Sequence, residues 1–546
     1  VSSLALWKDK IIKALSGGGQ EKRDRQIKSG KKLARERLDL LLDLNSFEEI
    51  DQLGASQFLK IKEYTDGVIT GFGTINERRV GVYAQDFTVK GGSLGKRHAE
   101  KICKVMDMCA KIGCPIIGII DSGGARIDEG VHALAGYGNI FMRNVRYSGV
   151  IPQISIILGP CAGGATYSPA LTDIIFTVKD ISNLFITGPQ VVEKALGEKI
   201  TKEELGGALV HAQKSGVAHV ISQTEEECFE SVKEFLSFIP QNFCDTQTLI
   251  SYSGQGAGVI QESVNCPGLT AGTVVGDVSG QNFINHTGCQ AGVMPEGALG
   301  QNTKNFLWGL VPSSINQAYD IKNIIYSLVD NNNFFEIQEL FASNIVIGLA
   351  RISGFSVGIV ANQPLVKAGA IDINASCKAA RFINFCDSFS IPIISLVDVP
   401  GFLPGVSQEH DGIVRHGAKL IYAYARASVP KITVILRKAF GGAYVVMGSK
   451  ELGADFNFAW PEAQIAVLSA QAAYSVLYKN NIDKDKETFE KEYEEKYLNP
   501  FVAAQYGYID AIISPDQTKD RIINALKITQ NKIEVGIKRK HGNIPL

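Results

Sequence analysis

The chain has 546 residues, of which 45% are hydrophobic and 20% charged, and its formal net charge is −1. That length exceeds one ordinary domain and predicts about two to four, each with its own core. The near-neutral charge, with no basic block except Lys538-Arg539-Lys540-His541, argues against a nucleic-acid binder, and no apolar run approaches the ~18 residues of a membrane span. The ten cysteines (103, 109, 114, 161, 228, 244, 266, 289, 377 and 386) include no Cys-x-x-Cys pair, which excludes a zinc ribbon. In a chain this large they read as reduced core residues of an intracellular protein. The start, Val1-Ser-Ser-Leu-Ala-Leu, has no basic-then-apolar signal pattern.

In chain order, residues 1–45 are strongly charged with helical spacing, as in Lys32-Leu-Ala-Arg-Glu-Arg-Leu-Asp-Leu-Leu-Leu-Asp43. They are expected to form an amphipathic arm that packs on a neighbour. Val80–Ala84 is a short apolar strand, Lys96–Lys111 a helix, and Pro115–Ile120 a buried strand. Ile151–Leu158 is a further strand that runs into a glycine-rich turn and another helix. Residues 241–311 are rich in Gly, Ser, Asn and Gln, and no Lys or Arg occurs between Lys233 and Lys304. They read as an inter-domain linker with an irregular insert, a surface excursion without catalytic role. The first pattern then returns in Val357–Ala361, Ala375–Ser388, Pro392–Val397 and Val429–Leu436.

The return is a tandem repeat. An offset of 277 lays Val80–Gly92 over Val357–Gly369, and pairs Gly71 with Gly348, Lys101 with Lys378, Cys109 with Cys386 and Asp121 with Asp398. One residue later in register, at 278, Pro152 pairs with Pro430 and Gly163-Gly164-Ala165 with Gly441-Gly442-Ala443. The expectation is two homologous α/β domains, 46–240 and 312–546, with ligands where strands end and helices begin.

The glycine turns are the first candidates for chemistry. Each follows a strand and opens a helix, so backbone can approach a ligand closely and free N–H groups point outward. One such turn alone is commonly a tight corner with no ligand. Two at equivalent repeat positions favour the functional reading. A P-loop would need Gly-x4-Gly-Lys-Ser/Thr, which is absent, and no dinucleotide fingerprint stands at these turns. Small oxyanions remain, such as an enolate or a ureido oxygen.

Side-chain chemistry is sparser. Asp121-Ser-Gly-Gly-Ala-Arg-Ile-Asp-Glu-Gly130 holds three carboxylates and an arginine. Asp121 is expected to cap a strand end, and Arg126 to form local ion pairs with Asp121, Asp128 or Glu129. Ser122 lacks a Gly-x-Ser-x-Gly frame. His98, His132, His211, His219, His410 and His416 show no metal-ligand spacing, and each reads as a structural histidine. Oxyanion sites without an evident nucleophile or metal suit a reaction whose base comes with the partner cofactor.

These residues carry a resemblance. QDFTVKGGSLGKRHAEKI (Gln85–Ile102), DSGGARIDEGV (Asp121–Val131), VIPQISIILGPCAGGATYSPALTD (Val150–Asp173), LFITGP (Leu184–Pro189), DVPGFLPG (Asp398–Gly405), IVRHGAKL (Ile413–Leu420), AWPEAQIAV (Ala459–Val467) and the ending HGNIPL resemble the carboxyltransferase (β) subunits of biotin-dependent acyl-CoA carboxylases, propionyl-CoA carboxylase above all. The likeness spans nearly all the chain outside 241–311. It implies two crotonase-like domains and a hexamer in which the first domain of one subunit faces the second domain of its dimer partner. It further implies acyl-CoA as substrate and carboxybiotin carried on a separate biotin carboxylase/biotin carrier α subunit, with no metal in this chain. Gly163, Gly164, Gly442 and Ala443 would form two oxyanion holes, one for the thioester enolate and one for the biotin ureido oxygen, with Ala165, Tyr167, Gly441, Tyr444 and Val445 around the substrate.

Three positions depart from the pattern. Propionyl-specific members usually carry Asp directly after Gly-Gly-Ala-Tyr, where this chain has Val445, and such a change could widen acyl tolerance. Ser469 and Ala472 stand where the family commonly has glycines near the biotin end of the cleft. No biotin-acceptor Met-Lys-Met and no ATP-grasp region occurs. The resemblance places the protein in the mitochondrial matrix of a eukaryote or the cytoplasm of a bacterium. The alternatives are the α subunit of a decarboxylating sodium pump acting on methylmalonyl-CoA, with membrane partners, or a non-catalytic homologue. A crotonase-type hydratase or isomerase would need paired carboxylates beside the turn.

Overall fold

The computed structural model describes residues 2–58, 64–245, 307–478, 485–534 and 540–545. Most of the insert expected at 241–311, and Lys538-Arg539, lie outside the described residues. The first half builds one sheet from β1 (Glu48–Ile50), β2 (Val68–Ile75), β3 (Arg78–Gln85), β4 (Ile116–Ser122), β5 (Gln153–Ala162), β6 (Ile174–Val178), β7 (Asn183–Phe185) and β8 (Val220–Ser222). The second builds another from β9 (Phe334–Ile337), β10 (Ile345–Ile352), β11 (Phe355–Asn362), β12 (Ile393–Val399), β13 (Lys431–Phe440), β14 (Phe456–Ala459), β15 (Gln464–Ala466) and β16 (Ala511–Ile512).

The two sheets have one topology. The orders are β1-β2-β3-β4-β5-β6-β8 and β9-β10-β11-β12-β13-β14-β16, with β7 on β5 and β15 on β13. In each, the first three strands are antiparallel and the rest parallel. Parallel strands buried on both faces need apolar runs, and β4 and β12 are buried at every residue. The helices Lys96–Ile112 and Ile373–Ser388 cross over between the paired strands, as their spacing predicts.

The repeat extends to single contacts. Gly81 and Gly358 let β3 and β11 lie against the crossover helices: a Cβ would stand 2.1 Å from Cys109 Sγ and 2.5 Å from Cys386 Sγ. Buried Lys101 donates to the carbonyls of Thr65 and Val68 (2.9 and 2.5 Å). Lys378 donates to those of Ala342 and Ile345, the equivalent residues, and also to Gln338 and Phe341. Burial pulls Lys101 down to about 8 and Lys378 down to about 7.

One hydrophobic core runs through both halves, with Phe235 and Phe335 5.9 Å apart and Phe235 and Phe385 6.0 Å apart. The charged arm divides. Helix Ser3–Leu15 exposes Leu4, Trp7 and Ile12, whereas Leu38 and Leu41 of helix Ala34–Leu41 pack into the chain's own core rather than on a neighbour. Cys103, Cys109, Cys114, Cys161, Cys228, Cys377 and Cys386 are free thiols, all buried but Cys377. Cys244 is disulfide-bonded, a departure from the all-reduced expectation.

Candidate active site at the paired glycine turns

β5 and β13 each do two jobs. Their early residues pair with β6 and β14, and their last three with β7 and β15. The neighbours β4 and β12 change register at the same repeat position, between Ile120 and Ser122 and between Val397 and Val399. Each long strand therefore changes its neighbour on one side, and its register on the other, before ending at the glycines.

The turns superpose in dihedral space. Ala162 (φ −115°, ψ 144°) precedes Gly163 at φ 60°, and Phe440 (φ −110°, ψ 142°) precedes Gly441 at φ 59°. A left-handed residue at this corner favours glycine. Gly163–Thr166 then forms a 3-10 turn that continues into helix Tyr167–Leu171, and Gly441–Val446 is helical. First-turn N–H groups have no intrahelical acceptor, so each corner offers outward donors at a positive helix end. Gly442 is exposed, and a Cβ there would meet nothing nearer than Phe402 at 4.0 Å. Gly164 is tighter, with the Tyr137 ring 3.2 Å from such a Cβ.

Of the flanking residues, Ala165 and Ala443 are buried and anchor the turns, while Tyr167 is 49% exposed. Tyr137, Phe141 and Tyr167 form a ring series along one wall, with successive centroids 5.8 and 6.1 Å apart. Tyr444 and Val445 are half-buried. The Tyr444 hydroxyl has no hydrogen-bond partner among the described residues, and burial pushes its ionisation up. The residue set predicted from sequence thus gathers at two separate corners, one per half.

Asp121 is no cap. It lies on β4, fully buried, and its carboxylate accepts from Lys31 Nζ (2.9 Å to each oxygen) and from Arg37 Nη1 (2.9 Å). Arg37, itself fully buried, also donates to both oxygens of Glu225 and to the carbonyl of Leu158. In the second half, Asp398 takes Arg437 Nε at 3.0 Å and the Lys438 N–H at 3.1 Å. Arg437 occupies the repeat position of Gly159, where a Cβ would stand 2.0 Å from Asp121 Oδ1. One half fills this space from its own strand and the other from the arm. Sequence reasoning missed Lys31 and Arg37 because nothing local marks them; the Gly159/Arg437 mismatch was the available signal.

Arg126 pairs with Asp66 (2.6 Å) and Glu129 (2.9 Å), not with Asp121, and Asp128 faces Lys90 at 3.7 Å. Against burial, Ser56, the Lys96 N–H and Arg126 hold the Glu129 carboxyl below its usual range. His98 and His219 are buried and hydrogen-bonded to backbone, and burial pulls both well down, which fits structural roles. Among the described residues no three His, Cys, Asp or Glu side chains are grouped to hold a metal ion, and no helix is long and apolar enough to cross a membrane.

Comparison with known proteins places this geometry. Residues 25–253 and 294–544 match the carboxyl transferase domain. The chain is 46% identical to the methylmalonyl-CoA decarboxylase subunit alpha of Veillonella parvula, covering 100% of this chain and 99% of that one. It is 49% identical to the mitochondrial propionyl-CoA carboxylase beta chain of Sus scrofa, covering 98% and 92%. Among solved structures it matches transcarboxylase 12S, a hexamer with methylmalonyl-coenzyme A and methylmalonic acid bound, at a TM-score of 0.87 and 42% identity, covering 100% and 98%. With two copies of the crotonase-like α/β unit, a glycine turn on each, and this likeness along its whole length, the chain belongs to the carboxyl transferase family and is an enzyme of the carboxyltransferase class.

Proposed function

We propose that the chain transfers CO2 from carboxybiotin to the α-carbon of a short-chain acyl-CoA, propionyl-CoA to methylmalonyl-CoA first of all. The observation that carries this reading is the pair of matched turns, Gly163-Gly164 and Gly442-Ala443, on domains 46–240 and 312–546. Bound carboxybiotin would supply CO2, and its ureido nitrogen would take the α-proton as the acyl-CoA becomes an enolate. The protein's part is electrostatic. One turn would hold the enolate oxygen and the other the ureido oxygen, and each well-aimed donor stabilises a transition state by about 3 kcal/mol. The residues fit such a role: open backbone at Gly442, glycine where φ is positive, and apolar walls from Tyr137, Phe141 and Tyr167. No protein base is required. Tyr444 and Val445 would shape the acyl pocket, and an apolar Val445 favours tolerance toward butyryl-size groups.

Biotin would arrive on a separate biotin carboxylase/biotin carrier subunit. Exposed apolar side chains in both halves, Val131, Leu134 and Val145 in one and Val414, Val467 and Val476 in the other, support burial against other copies in a hexamer like that of transcarboxylase 12S. The compartment follows the host: the mitochondrial matrix or the bacterial cytoplasm. A second reading, the α subunit of a methylmalonyl-CoA decarboxylase, is favoured by the full-length identity to the Veillonella protein. Two measurements test these readings. Carboxyl exchange between methylmalonyl-CoA and free biotin should proceed, and its absence with every short acyl-CoA would reject the enzyme proposal. Affinity purification from the host should bring down a soluble biotin-bearing subunit; an integral-membrane partner would support decarboxylation instead.

A further inference from the structure

Each glycine turn has an aromatic ring against its second residue, and the two rings reach that place from different elements. In the first half the ring is Tyr137, on helix Val131–Tyr147, and a Cβ on Gly164 would stand 3.2 Å from it. In the second half the ring is Phe402, in the loop after β12, which is the nearest group to a Cβ on Gly442, at 4.0 Å. Gly164 and Gly442 are equivalent at the offset of 278. Tyr137 and Phe402 are not equivalent.

Phe402 answers to Ala125. The offset of 277 pairs them, and Ala125 bridges to Leu94 as Phe402 bridges to Ile371, the equivalent of Leu94. The flanking bonds also match: the Leu94 N–H donates to the Gly124 carbonyl (2.9 Å) and the Ile371 N–H to the Gly401 carbonyl (3.1 Å). Tyr137 answers to Gly417. At an offset of 280, buried Ile413, Gly417, Leu420 and Tyr424 of helix Ile413–Arg426 lie over buried Ala133, Tyr137, Ile140 and Asn144. One contact fixes that register. Gln153, which opens β5, donates from its side chain to the Asn144 carbonyl, and Lys431, which opens β13, donates to the Tyr424 carbonyl, both at 2.9 Å.

The two positions have therefore exchanged size. Ala125 with Tyr137 in one half becomes Phe402 with Gly417 in the other. A Cβ on Gly417 would stand 3.1 Å from Phe402 Cε1, so the Phe402 ring takes the space that a side chain at 417 would use. Close packing leaves no room for both. Two different local sequences thus bring a ring to the same residue of the turn. A flat apolar wall there braces the backbone whose N–H groups point outward. It also displaces water that would compete for those donors, which strengthens their hold on a charge.

We infer that Tyr137 and Phe402 are equivalent positioning residues, each bracing the donors of its own glycine turn. Their effect on turnover rests on the carboxyltransferase reading; their shared place in the repeat does not.

Four proteins test this: wild type, Phe402→Ala, Gly417→Tyr, and the double variant, which rebuilds the first half's arrangement in the second. At matched oligomeric state, Phe402→Ala should lower kcat for carboxyl exchange between methylmalonyl-CoA and biotin by about tenfold or more and leave KM within about threefold, since misaimed donors cost the transition state most. The double variant should return to within about threefold of wild type, because the ring is restored to its place. It should also melt at a higher temperature than Gly417→Tyr, in which two rings compete for one space. Phe402→Leu keeps apolar volume without the ring and gives the same comparison if Phe402→Ala does not assemble. Wild-type exchange by the folded Phe402 variants, a loss carried by KM alone, or a folded double variant no more active than Phe402→Ala would overturn the inference. A wild type without exchange would reject the carboxyltransferase reading and, with it, the role in turnover. A double variant no more stable than Gly417→Tyr would overturn the shared place, whatever the exchange assay gives.

Discussion

Replacing Arg37 with methionine should be among the most destabilising single changes available in the first half. The guanidinium is fully buried and donates to Asp121, to both oxygens of Glu225 and to the Leu158 carbonyl. Methionine keeps most of the volume and removes every donor. Glu225, 2% exposed, would keep only the Lys32 N–H at 3.2 Å near its carboxylate, and Asp121 would keep Lys31 alone. Removing one partner of a buried ion pair costs about 3–5 kcal/mol, because the remaining charge is left uncompensated. Neutralising all three groups, with Arg37→Met, Asp121→Asn and Glu225→Gln together, should recover about 2 kcal/mol or more of that loss. Urea denaturation followed by circular dichroism at one fixed protein concentration measures both differences. The single variant should also lose carboxyl exchange, since Leu158 lies five residues before Gly163 on β5. A cost under about 1 kcal/mol, or a triple variant no more stable than the single, would refute the argument that the arm's arginine completes this half as Arg437 completes the other.

Three further outcomes follow from the same contacts. Gly81→Ala and Gly358→Ala place a methyl within 2.1 and 2.5 Å of Cys109 and Cys386 sulfur, so each should cost about 1–3 kcal/mol and be rescued by Cys109→Ala and Cys386→Ala respectively, read from melting temperatures. Lys378→Met strips a donor from four buried carbonyls and should cost about 2–4 kcal/mol in the same assay, more than Lys101→Met, which strips two. Asp173 predicts a pH slope. Its carboxyl titrates near 6 in the folded chain and near 4 unfolded, so the folded state holds the extra proton between those values. Wild-type stability should therefore fall relative to Asp173→Asn as pH rises from about 4 to about 6, by about 1–3 kcal/mol, and run level above; a flat difference would contradict the burial argument.

The fold was legible because it is written twice. Gly71/Gly348, Lys101/Lys378 and Cys109/Cys386 share one offset because the two members of each pair make equivalent contacts, each in its own half, and the apolar runs of β4 and β12 mark buried parallel strands. The glycine turns were legible because a left-handed corner before a helix favours the residue type, and the offset paired them. The partners of Asp121 were not legible. An isolated aspartate after a strand has the signature of a cap, and the arginine that meets it lies 84 positions away in a segment whose charge suggested a solvated arm. The pairing of Arg126 with Asp66 escaped for the same reason: burial selects the partner, and local spacing does not report burial.

The central claim, that the paired glycine turns are oxyanion sites of a carboxyltransferase, is tested most directly at Gly442. A side chain there meets open space and an ordinary φ, so Gly442→Val should fold and assemble as the wild type does. It would set a branched side chain over the outward N–H groups, and loss of one such donor lowers kcat by about 100-fold to 1,000-fold. Carboxyl exchange between methylmalonyl-CoA and biotin, measured on wild type and Gly442→Val at matched oligomeric state, should fall by at least about 100-fold. Exchange within about threefold of wild type, by a variant with the native spectrum and assembly, would contradict the account.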